Sequence, residues 1–208
     1  MASGGGFWPA APERRWWHHV AAAPLLVVLL WWPFVLGRRV PLLGWVDLAV
    51  HEFGHVATVW LPEVVTFAMG GGAQVALPLT IAAGLWWRSD DRLGAGIALA
   101  WAGSAAQDVS VYIADAPYQR LPLIGGLHDW ATLLGPRHLD ALGAAALLAR
   151  GVWLAGLLLG LAGVAVVAMD GWTRWRERDV PAVAGTPAGW SLDPSAPSGG
   201  AAGGRDRR

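Results

Sequence analysis

Five stretches of this chain are apolar over lengths that suit a lipid bilayer: residues 20–36, 42–61, 73–87, 93–114 and 151–169. A bilayer-crossing helix needs about 20 predominantly apolar residues. In lipid, only helices and closed barrels satisfy every backbone polar group. The runs are too long for barrel strands, so the expected fold is all-α, a multi-pass membrane bundle of about five spans. Tryptophans Trp16, Trp17, Trp60, Trp86, Trp87, Trp172 and Trp175 lie at the ends of apolar runs, where aromatic side chains favour the membrane–water interface. The first partner is therefore the lipid bilayer. A formal net charge of zero argues against a nucleic-acid partner.

The runs also set the domain organisation. Residues 1–19, rich in Gly and Pro and with Arg14 and Arg15, read as an N-terminal tail. Residues 20–169 form the membrane domain, and residues 170–208, basic and then Gly-, Pro- and Ser-rich, read as a disordered C-terminal tail. Gly70-Gly71-Gly72 interrupts the third apolar region and predicts a broken or re-entrant segment ahead of that span. Residues 139–149 read as an interfacial stretch, and residues 93–114 as a small-residue helix suited to close packing. Arginine counts over five spans favour an external N-terminus and a cytoplasmic C-terminus, with Arg14 and Arg15 across the membrane from Arg174, Arg176 and Arg178.

Inside the second run lies His51-Glu52-Phe53-Gly54-His55, an H-E-x-x-H motif. On a helix, His51 and His55 are one turn apart and project from one face, so both imidazoles can reach one cation. Glu52 lies roughly 100° around the helix, where such motifs carry the general base that takes a proton from water. A chance match would leave an ionisable residue at membrane depth without a task, which is costly. The chain has no cysteine, which removes disulfides, thiolate metal sites and cysteine nucleophiles. Any metal must use His and carboxylate ligands, and the expected cofactor is Zn2+.

A catalytic zinc takes three protein ligands and leaves one position open. The third ligand is sought in residues 121–134, where His128 and Asp129 follow a Gly-Gly turn. Asp129 would complete a His-His-Asp set and His128 a His-His-His set, and either residue could instead orient a ligand or cap a helix. Asp115, with Asp108 nearby, is a reserve. Asp47 shares a helical face with His51 and could accept its free N–H, or could sit at the interface beside Trp45. Gln74 could hydrogen-bond a substrate or an oxyanion, or be a buried amide satisfied by a neighbouring helix. His18, His19 and His138 read as interfacial, and Arg150 as a snorkelling side chain.

The pattern His51-Glu52-x-Gly54-His55 in a membrane helix, with Asp129 in a later segment, resembles the site-2 protease class of intramembrane zinc metalloproteases. That resemblance implies His51, His55 and Asp129 as zinc ligands and Glu52 as the base. It implies a hydrolase acting on peptide or membrane-protein substrates. The chain departs from the family pattern: Asp129 is followed by Trp130, and no PDZ-like domain is present. It is also similar to a group of small bacterial membrane proteins that pair H-E-x-G-H with Gly-Gly-x-x-Gln (here Gly71 to Gln74) and a later His-Asp-Trp. That second likeness leaves a non-proteolytic metal-binding or sensing role as the alternative, in a bacterial cell membrane. A substrate helix that unwinds could add to residues 70–72 as an extended strand.

Overall fold

The computed structural model describes residues 13–123 and 126–178. Every regular element among them is helical. In chain order these are α1 (Trp16–Phe34), α2 (Leu43–Thr58), α3 (Glu63–Trp87), α4 (Arg92–Asp115), the short α5 (Asp129–Leu134) and α6 (Ala145–Glu177), with a 3-10 turn at Leu142–Ala144 before α6. Three helical stretches are long and apolar enough to cross a membrane: Trp16–Phe34, Glu63–Trp87 and Leu142–Glu177.

Side-chain pairings fix the helix directions. His19 meets Asp170, and Phe34 meets Trp153, so α1 and α6 are antiparallel. Gly96 packs on Gly163 and Gly103 on Gly156, so α4 and α6 are also antiparallel. Trp101 donates to Asp47, and Tyr112 lies beside His51, so α2 runs parallel to α4. Helices α1, α2 and α4 therefore point one way, and α3 and α6 the other.

This corrects the five-span expectation. Helices α1 and α2 run in the same direction and are joined by residues 35–42 alone. Eight residues reach about 28 Å even when fully extended, less than the ~30 Å hydrocarbon core a return would cross. At 16 residues, α2 is itself short for a span. Helix α4 has the length, with 24 residues, but is rich in Ala, Gly and Ser, carries Arg92, Asp108 and Asp115, and is not among the three stretches apolar enough to cross.

The expected opposition of the termini is overturned as well. Arg174 donates to the Arg14 carbonyl at 3.0 Å, so the two ends of the described chain share one end of the bundle. Arg14 also forks onto Asp91, with contacts of 3.3 and 2.8 Å, tying in the turn between α3 and α4. Burial pushes the Asp91 carboxyl up, but the Arg14 bond and the Gly94 N–H outweigh it, leaving the group below its ordinary range.

Two further boundaries move. Residues 16–19, read as tail, begin α1, and residues 170–177, read as the start of the other tail, continue α6. Residues 1–12 and 179–208 of the two expected tails lie outside the described residues. Helix α6 also runs unbroken through Arg150 and takes in residues 145–149 of the expected interfacial stretch, because a continuous helix satisfies the backbone there.

The largest correction concerns Gly70-Gly71-Gly72, which form ordinary helix within the first half of α3. Glycine serves close approach here. A Cβ at Gly71 would press on Val109 of α4 at 3.1 Å, and a Cβ on Gly54 of α2 would collide with the Met69 carbonyl. The backbones of α2 and α3 touch where side chains are missing, as small residues permit in membrane bundles. The helical backbone is internally hydrogen-bonded, so residues 70–72 offer no free edge for an added strand.

Candidate metal centre

The site forms where α2, α3, α4 and α5 meet, towards one end of the bundle. Gly70 is seven residues into α3, about 10 Å along its axis, and Tyr112 is three residues from the end of α4. From α2, His51 and His55 present their rings edge to face, with centroids 4.9 Å apart. His51 is buried and His55 partly so.

Asp129, the first residue of α5, closes the group. Its Oδ2 lies 2.9 Å from His51 Nε2 and 3.2 Å from His55 Nε2. These three residues offer donor atoms within 4.8 Å of one another, an arrangement that could hold a metal ion. Tetrahedral ligands at ordinary zinc distances stand roughly 3.3 Å apart, close to the spacing seen.

Two further observations fit a cation. The Nδ1–H of His55 donates to the Thr66 carbonyl at 2.9 Å, which leaves the Nε2 lone pair facing the group. Thr66 is itself fixed, because its hydroxyl donates to the Thr58 carbonyl at 2.8 Å. In addition, a Cβ at Gly70 would lie 2.5 Å from His55 Nε2 and 2.7 Å from His51 Nε2. The missing side chain leaves space where the two nitrogens converge.

The alternative ligands are engaged elsewhere. His128 caps α5, its Nδ1 accepting from Ala131 N–H at 3.2 Å. Its buried Nε2 points to Asp115 Oδ2 at 3.4 Å without hydrogen-bond alignment. Burial pushes this imidazole below its ordinary range, against the pull of Asp115. Asp115 in turn accepts the N–H groups of Arg120 and Leu121, both at 2.9 Å, closing the turn after α4. Neither residue joins the His51–His55 group.

Asp47 is buried and accepts from Trp101 Nε1 at 2.8 Å, so it does not orient His51. Gln74 is a satisfied buried amide, donating to Asp108 Oδ2 at 3.0 Å. Asp108 also accepts from Arg39 at 2.6 Å. This second polar layer sits one helical turn from the histidines, on the side away from α5. Glu52 is exposed and makes no hydrogen bond or ion pair among the described residues. An open apolar groove of about 710 Å³ runs between α2 and α3, lined by Trp45, Phe53, Met69 and Ala73 among others.

Sequence reasoning passed over Tyr112, Gly70 as a cradle and the Thr66 carbonyl. Tyr112 is one of only two tyrosines, and its place in a run of small residues was the available signal. A backbone carbonyl acting on a ligand leaves no mark in sequence. No protein-family model, curated protein or solved structure matches this chain.

Proposed function

We propose that this protein is a membrane-embedded, zinc-dependent metallopeptidase of the kind the H-E-x-G-H motif suggests. One observation carries the reading: His51, His55 and Asp129 converge above Gly70, with Glu52 of the same motif left unpaired. Zinc held by those three side chains would supply Lewis acidity, polarising a peptide carbonyl and making a water acidic. Glu52 takes a proton from the attacking water and returns it to the leaving amine, as an unpaired carboxylate can. The Thr66 carbonyl keeps His55 in its ligating tautomer. The apolar groove between α2 and α3 receives the flanking apolar part of a membrane-associated substrate.

The orientation follows from the arginines. Arg14, Arg15, Arg88, Arg92, Arg174, Arg176 and Arg178 belong to the end of the bundle where α1 begins and α6 finishes. The positive-inside rule makes that end cytoplasmic, with the metal group towards the opposite face.

Purified E52Q should keep the metal content of wild type and lose turnover of a membrane-embedded peptide reporter by about 100-fold or more. H55A should lose the metal. E52Q cleaving at the wild-type rate would defeat the peptidase reading. Metal bound without turnover in wild type would leave the metal-binding alternative, and equal metal in wild type and H55A would remove both.

A further inference from the structure

Asp129 reaches the histidines from a separate part of the chain. It starts a six-residue helix that follows the connection from α4, and so short a helix does not fix a carboxylate by itself. What holds it is a reciprocal pair of hydrogen bonds with one side chain. The Asp129 N–H donates to Tyr112 Oη at 3.1 Å, and Tyr112 O–H donates to Asp129 Oδ2 at 3.3 Å. That Oδ2 is the oxygen facing both imidazoles. The Tyr112 ring stacks on His128, the cap of α5, at 4.2 Å and leans on His51 at 5.8 Å.

The hydroxyl therefore does two things at once. It accepts a first-turn N–H that has no partner within its own helix, and it sets the rotation of the carboxylate. We infer that Tyr112 is the positioning residue of the metal centre: its hydroxyl holds Asp129 as the third ligand. This rests on the metal reading of His51, His55 and Asp129, and it assigns no step of catalysis to Tyr112. Partners that orient a ligating group are worth 10- to 100-fold in metal affinity, and α4 is the rigid element from which such a partner acts.

The test is zinc affinity of the full-length protein in detergent, by competition with a chromogenic chelator, for wild type, Y112F, D129A and the double variant. Phenylalanine keeps the ring and its stack on His128, so only the oxygen is lost. Y112F is expected to weaken zinc binding about 10- to 100-fold. In the D129A background the same change should alter affinity by less than about threefold, because coupled residues are non-additive. Y112F binding within threefold of wild type overturns the inference. So does an equal loss in both backgrounds, which would mark a general packing role. Wild type that binds no zinc removes the metal reading itself and this inference with it, a result distinct from both.

Discussion

At Gly70 the difference between a hydrogen and a methyl group bears directly on the site. A Cβ there would sit 2.5 and 2.7 Å from the two histidine nitrogens, in the space a cation needs. G70A should weaken zinc binding on the order of 100-fold, the upper range for changes beside a ligand. Alanine is the better helix former by about 0.5–1 kcal/mol, so α3 should remain intact by circular dichroism. G72A is the control, since its Cβ would meet only Met69 Sδ at 3.4 Å, an ordinary contact. Wild-type zinc content in G70A would show that the nitrogens converge elsewhere. At this scale the sequence is informative about His51, Glu52, His55 and Asp129, whose chemistry is specific to residue type. It is silent about Gly70 and Tyr112, because a glycine has many uses and a tyrosine's partner lies far along the chain.

Among the elements, α4 is the central helix, and two glycine pairs bring its backbone against that of α6. Gly96 and Gly163 abut each other's backbone, as do Gly103 and Gly156, and the pairs are seven residues apart on both helices. In lipid, helices gain little from hiding apolar surface from one another, so close backbone approach supplies the attraction. Gly156→Leu should therefore force α6 away from α4 and destabilise the bundle by about 1–3 kcal/mol, read as a lowered melting temperature in detergent. G143L, at a position with open space around it, should melt with wild type. If both melt alike, the glycine seam is not what joins these helices. The small-residue character of α4 was legible in sequence. That the glycines of α3 also serve close approach was not, because Gly70-Gly71-Gly72 reads as a break until Gly54 and Val109 are seen against it.

For the molecule as a whole, direction is decided by pairing across the bundle. Arg174 beside Arg14, and His19 beside Asp170, bring both described ends to one side. The chain lacks cysteine, so single cysteines report sidedness without background. Cysteines at positions 13 and 177 should label together with an impermeant maleimide, from the cytoplasmic side of oriented vesicles. A cysteine at 120, beyond the far end of α4, should label only from the opposite side. Labelling of 13 and 177 from different sides would restore an odd number of crossings. The apolar runs of the sequence determined a helical bundle with helices long and apolar enough to cross a membrane, because long runs without water can satisfy their backbone in no simpler way. The motif marked His51 and His55 as a pair that could share a metal ion in the same local fashion. Only the tertiary structure decided that α1 and α2 run parallel, that Asp129 rather than His128 faces the histidines, and that Tyr112 clasps it. Those outcomes depend on contacts between residues far apart in the chain, and periodicity and composition carry no record of them.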